Sequence, residues 1–213
     1  MTLPVAVGRS GPALVHASRA AELLVPNRSA GPHVLVATAS RHGATAGIAD
    51  RLVHLLQVSP AGLRCGLRAV AIPVERQPDP ALFDAVVLGS AVYAGRWLES
   101  ARHYATEHAS GLRGLPVWLF SSGPIGPRPF PPADPYDVEP LAAVVGARSH
   151  RVFPGRLHED LLGPEELAVV IAMRAPTGDF RDWPAVGSWA AEIAEDVAGL
   201  APRESAAAVP GPG

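Results

Sequence analysis

The chain has 213 residues, 48% of them hydrophobic, with a formal charge of −2 and an isoelectric point near 6.4. That length holds one well-buried α/β domain with some excess, and the near-neutral charge gives no electrostatic basis for binding nucleic acid. The single Cys65 excludes an internal disulfide, a CxxC redox pair and a cysteine-ligated iron–sulfur cluster, so any redox chemistry must come from a bound cofactor.

Residues 1–30 are rich in Ala, Gly, Ser and Pro, with a short helix over Ala13–Leu24 as their one candidate element. They are expected to be a flexible extension outside the fold, or a start of translation set too early. From His33 the chain turns β-branched and apolar, and Thr38 to Thr45 is small, hydroxylated and broken by Gly43. The helix that follows places Ile48, Leu52, Val53, Leu55 and Leu56 at spacings of three and four, leaving Asp50, Arg51 and His54 outside. A strand feeding such a loop at a helix N-terminus reads as a phosphate cradle, with an ordinary strand-to-helix connection as the alternative. Free N–H groups and the helix dipole favour negative charge there, and Thr38, Ser40 and Thr45 add hydroxyls. A nucleoside-triphosphate P-loop is closed off, because it needs a lysine and the chain has none; a dinucleotide fingerprint needs three glycines where only Gly43 stands.

Leu67 to Val74 reads as a second strand, followed by a proline-rich connection with no helix. Asp84 to Gly89 is the third, apolar through its centre as in a parallel strand covered on both faces. A loop over Ser90 to Trp97 leads to a helix with Trp97, Ala101, Tyr104 and His108 along one face. Leu115 to Phe120 is the fourth strand, ending in Ser121-Ser122-Gly123, and the proline-dense loop Ile125 to Pro135, holding Phe130 with Tyr136 beyond it, has a length typical of functional or disordered segments. A helix over Val138 to Gly146 precedes a fifth strand, Ser149 to Phe153. Pro164 opens a helix through Met173 with Glu165 and Glu166 in its first turn. After a turn over Gly178 to Pro184, the last helix carries Val186, Trp189, Ala190, Ile193 and Val197 at helical spacing; from Ala201 the chain is a tail. Alternating strands and helices predict an α/β, doubly wound, five-stranded parallel sheet in three layers, spanning residues 31–200. No apolar run reaches the roughly 18 residues of a membrane span, so a cytoplasmic location is expected, with peripheral membrane contact left open.

The pattern Ser-x-x-Gly-x-Thr (Ser40, Gly43, Thr45) resembles flavodoxins, which hold the phosphate of flavin mononucleotide (FMN) with hydroxyls and amides and need no lysine. The resemblance implies strand order 2-1-3-4-5 and a cofactor site where the loops after strands one, three and four meet. Thr38, Ser40, Arg41, His42, Gly43, Ala44 and Thr45 would then lie at the phosphate. Ser90, Ala91, Val92, Tyr93, Ala94 and Gly95 would lie at the ring, with Tyr93 as stacking face and the Gly95 carbonyl free to turn toward the reduced ring; Ser121, Ser122 and Gly123 would meet its pyrimidine edge. The plain alternative for Tyr93 and Gly95 is a half-buried aromatic at an ordinary turn. Three longer motifs, Val-Val-Leu-Gly-Ser-Ala-Val-Tyr-Ala-Gly-Arg-Trp, Trp-Leu-Phe-Ser-Ser-Gly-Pro and Gly-Asp-Phe-Arg-Asp-Trp, look like flavodoxin-domain proteins similar to bacterial menaquinone-dependent protoporphyrinogen oxidase, over roughly residues 33–198. This implies electron transfer toward a quinone or a redox-partner protein. Only the flavin site is carried over, because no residue matches a porphyrinogen-contacting role, and no catalytic residue is assigned.

The remaining candidates have plainer readings. A serine hydrolase is discounted because Gly-x-Ser-x-Gly is absent. His150 and the trio His158-Glu159-Asp160 read as solvated loop rather than metal ligands. Arg181, between Asp179 and Asp182, reads as a salt-bridged cap of the final helix. Arg96 sits beside the expected flavin edge, where a cation would stabilise an anionic reduced ring; the plain alternative is a side chain that points to water. The competing function is a flavin-free regulatory or scaffold module on the same fold; a phosphoacceptor receiver is disfavoured because its usual lysine is missing.

Overall fold

All seven residues of β1 (His33–Ala39) are buried, as expected for the central strand of a sheet covered on both faces. The computed structural model describes residues 31–123, 138–172 and 174–200. The expectations for residues 1–30, for the proline-dense loop with Phe130 and Tyr136, for Met173 and for the tail lie outside the described residues. β1 lies between β2 (Arg68–Pro73) and β3 (Ala85–Tyr93), parallel to both. A tight turn sends β3 back into the two-residue β4 (Arg96–Trp97). β5 (Val117–Ser122) pairs parallel with β3, and β6 (Ser149–Phe153) pairs parallel with β5. The order β2-β1-β3-β5-β6 is the expected doubly wound order once β4 is set aside. A separate antiparallel pair joins β7 (Arg156–Leu157) to β8 (Gly178–Asp179).

The helices are α1 (Ala44–Val58), α2 (Pro60–Cys65), α3 (Glu99–Glu107), α4 (Ala109–Arg113), α5 (Val138–Val145), α6 (Pro164–Ala172) and α7 (Trp183–Ala198). Alternation along β1 divides the core in two. Val34 and Val36 face Ile48, Leu52 and Leu56 of α1 and Trp189 and Ile193 of α7. Leu35 and Ala37 face Ala101 and Tyr104 of α3, Leu112 of α4 and Val138, Leu141 and Val145 of α5. Every position read as the inner face of the last helix is buried. α6 stands apart: it buries no side chain. No helix among the described residues is long and apolar enough to cross a membrane.

Three expectations need correction. The third strand runs on through Tyr93, because Ser90 and Ala91 stay paired with Ser121 and Ser122 of β5 and Tyr93 pairs with Arg96. The segment read as a loop is therefore strand and hairpin. Trp97 accordingly sits on β4, ahead of α3, with its indole buried. The fourth strand likewise extends through Ser122. The sequence reading also missed α2, although its signal was local: Ser59 accepts the Gly62 amide at 3.0 Å and Pro60 occupies the first helical position.

Candidate functional site

At the carboxyl end of β1, Thr38 is buried between Pro73 of β2 and Gly89 of β3. The loop then bends through Gly43, whose φ of 76° lies in the left-handed region that side chains disfavour, and Gly43 becomes the N-cap of α1 with no side-chain cap. The first intrahelical bond runs from the Gly47 amide to the Gly43 carbonyl at 3.0 Å, so the amides of Ala44 and Thr45 have no acceptor within the helix. The Ala46 amide donates to Ser40 Oγ at 3.3 Å. Thr45 is 1% exposed and its hydroxyl has no hydrogen-bond partner. A buried, unpartnered hydroxyl at an open helix N-terminus is unusual, and it is the atom a phosphate oxygen would satisfy.

Two arginines that the sequence reading did not place at this loop reach it, Arg156 from β7 and Arg181 from the connection between β8 and α7. Arg156 donates through Nη2 to the His42 carbonyl at 3.3 Å, and its Nε is buried without a partner. Arg181 lies against the first turn of α1: a Cβ added to Gly47 would fall 2.5 Å from Arg181 Nη1, so the guanidinium end would have to shift to make room. Arg181 is held by both carboxylate oxygens of Asp179 and lies 4.5 Å from the Trp183 ring centre. The Arg181 guanidinium, through its hydrogen bonds, holds the Asp179 carboxyl below its ordinary range. Asp182 caps α7 by accepting the Ala185 amide at 2.9 Å. The salt bridge expected of Arg181 is present with Asp179, whereas the cap of α7 is made by Asp182, and Arg181 also lies against α1. β7 and β8 have two residues each, too short for any period, so no sequence signal announced Arg156.

The predicted ring side and phosphate side meet. Tyr93, half-buried at the end of β3, stands before the Ala94-Gly95 turn, where both residues have positive φ, 49° and 72°. The Arg41 guanidinium lies 5.1 Å from the Tyr93 ring centre, and the His42 ring centre lies 6.2 Å from it. Glu166 of α6 closes the group, with one oxygen 3.0 Å from Arg41 Nε and 3.2 Å from His42 Nε2. The Gly163 amide, first, and then His42 and Arg41 hold the Glu166 carboxyl below its usual range. Burial, and next the nearby Glu166 carboxylate, push the Tyr93 phenol up to about 12.

The serines of the other two predicted segments are engaged within the fold. Ser90 Oγ accepts the Leu98 amide at 3.0 Å and donates to the Ala91 carbonyl at 2.8 Å, fixing the start of α3. Ser121 Oγ accepts Trp97 Nε1–H at 2.8 Å and lies 2.8 Å from His150 Nε2. His150 is therefore no solvated loop residue; it belongs to a strut linking β4, β5 and β6. Ser122 is buried beside Ala91, and the Gly123 amide donates to the Phe153 carbonyl at 3.0 Å. Val92 pairs with Trp97, and Arg96 lies across from Tyr93. The exposed residues His158, Glu159 and Asp160 lie at a short 3-10 turn, and no cluster of three or more His, Cys, Asp or Glu suited to a metal occurs among the described residues.

The chain is similar in structure to an oxidoreductase from Corynebacterium diphtheriae, with a TM-score of 0.54 at 15% identity over 81% of this chain and 100% of that one. Weaker likenesses join it to a flavodoxin variant from Pseudomonas aeruginosa (TM-score 0.48, 15% identity, 78% of this chain and 99% of that one). A third is Fusobacterium nucleatum flavodoxin bound to flavin mononucleotide (TM-score 0.45, 14% identity, 78% and 99%). At such identities, likeness speaks for the fold alone. No curated protein matches the chain. Residues 35–182 match the family model described as Flavodoxin domain, and the chain belongs to that family.

Proposed function

We propose that the chain is an FMN-binding electron-transfer flavoprotein. The observation that carries the reading is the Thr45 hydroxyl, buried and unpartnered at the open N-terminus of α1, beside the left-handed Gly43 and with the Arg156 guanidinium at the back of the loop. These residues fit a phosphate. Backbone amides and the helix dipole favour the anion, and buried donors that lack partners gain the hydrogen bonds they miss. In this reading Ser40, Ala44 and Thr45 hold the phosphate with Arg41 and His42 beside it, and Tyr93 offers its face to the ring, with Arg96 as a nearby cation. Ser90 and Ser121 serve as supports whose hydroxyls fix the surrounding strands. When bound, the flavin supplies the one- and two-electron chemistry that a chain with one cysteine cannot provide on its own. Membership of the flavodoxin-domain family supports the reading.

The electron acceptor would be a quinone or a redox-partner protein met in the cytoplasm. The finer reading, a quinone-linked oxidase acting on protoporphyrinogen, rests on motif resemblance alone. The test is an absorption spectrum of the purified protein, followed by FMN titration of any colourless preparation and of Thr45→Ala and Tyr93→Ala. Saturable binding, weakened by both substitutions, is expected, after which quinone and porphyrinogen assays separate an oxidase from a generic carrier. Absence of both colour and binding would leave the flavin-free module as the better account.

A further inference from the structure

The loop's side chains already carry a carboxylate. Glu166 reaches from α6 to both Arg41 and His42, at 3.0 and 3.2 Å, and Arg41 in turn covers one face of Tyr93. α6 is only lightly packed: Leu167 and Val170, on the side of Glu166, are partly buried, no residue of the helix is fully buried, and Leu161, Val169 and Ile171 in and beside it are exposed. The loop itself does not need the contact, because Arg156 grips the His42 carbonyl from β7 independently of α6.

We infer that Glu166 is an internal anion competing with an incoming phosphate for Arg41 and His42, so that α6 is a clasp over the site which a phosphorylated flavin, and not its dephosphorylated form, releases. The inference rests on the flavin reading of the same site and deepens it by naming the residue that sets selectivity for the phosphate. The chemistry is an exchange of counter-ions. A phosphate dianion offers more charge and more acceptor oxygens to a guanidinium than one carboxylate does, and it brings its own hydrogen bonds to the α1 amides. Riboflavin has nothing to exchange. Two exposed to half-buried pairs of this kind are individually weak, which is what a contact must be if a ligand is to break it.

The test compares FMN and riboflavin affinities, by quenching of flavin fluorescence, in the unaltered protein, in Glu166→Gln and in the neighbouring Glu165→Gln as a charge-matched control. Hydrogen exchange of residues 163–172 is followed alongside. Glu166→Gln should tighten FMN roughly three- to ten-fold while moving riboflavin far less, and Glu165→Gln should do neither. Saturation with FMN should speed exchange across α6 in the unaltered protein; Glu166 also accepts the Gly163 amide at 3.1 Å, so exchange is read there and not in Glu166→Gln. FMN affinity unchanged or weakened in Glu166→Gln, or both flavins shifted equally, overturns the clasp while leaving the flavin site standing. If neither flavin binds, the flavin reading falls and inorganic pyrophosphate decides the clasp: faster exchange of α6 upholds it, and unchanged exchange overturns it.

Discussion

Thr45→Val is the sharpest test of the phosphate loop, because it should move stability and binding in opposite directions. Valine keeps the β-branched shape at a position only 1% exposed and replaces the unpartnered hydroxyl of Thr45 with a methyl group, so packing and helix propensity change little. An unsatisfied buried hydroxyl costs roughly 1–3 kcal/mol. Taking the lower part of that range, the ligand-free protein should gain about 1 kcal/mol, or roughly 2–4 °C in its thermal midpoint for a domain of this size. Binding pays the opposite way: a hydrogen bond to a charged acceptor contributes about 1.5–3 kcal/mol, so FMN affinity should fall about ten- to hundred-fold. Thermal unfolding without flavin and FMN titration read the two effects separately. A ligand-free variant less stable than the parent would mean that the hydroxyl has a partner, and unchanged FMN affinity would mean that the phosphate lies elsewhere; either result refutes the reasoning.

Two further predictions concern the frame around the site. In Gly89→Ala the new Cβ would lie 2.1 Å from the Phe120 ring, which is fixed against Phe153 and Trp189 at centre distances of 6.1 and 6.0 Å; urea unfolding should show a loss of about 1–3 kcal/mol, and Phe120→Leu on that background should recover part of it. Asp179 has its carboxyl lowered from 3.8, chiefly by its hydrogen bonds from Arg181. Its contribution is therefore complete above the unfolded value and is lost as pH falls through the depressed folded one; thermal midpoints followed below about pH 4 should fall less steeply in Asp179→Asn, and superimposable acid limbs would show that the pair contributes nothing.

What was legible in the sequence follows from how far each physical signal reaches along the chain. The parallel strands and the inner faces of α1 and α7 were visible because apolar periodicity over many residues is imposed by burial. The ends of β3 and β5 were not. Ser90, Ser121 and Ser122 look like loop residues by composition, and pairing across the sheet keeps them in strands, Ser90 with Ala39 and Ser121, and Ser122 with Ala91 and Phe153. The loop residues Ser40, Gly43 and Thr45 could be found from spacing, since a helix N-terminus is a local feature. Arg156 and Glu166 could not. They arrive from segments more than a hundred residues away, one on a two-residue strand and the other on a helix whose acidic first turn has an ordinary dipole explanation. For His150 the local reading failed because its partner, Ser121, lies on a neighbouring strand.

The short ladder between β7 and β8 ties Arg156 opposite Asp179 and Leu157 opposite Gly178. The stretch between them, with α6 in it, departs from the ladder at β7 and rejoins it at β8, while the five-stranded sheet and α7 continue on either side of it. Such a closed excursion is a replaceable cassette. Its length can change at small entropic cost, since closure of a flexible loop varies only slowly with the number of residues, and its ends are already pinned. Two proteins with this frame could therefore keep one loop for the anion and differ in what stands guard over it, acquiring new partners or new access rules by exchanging a single surface segment.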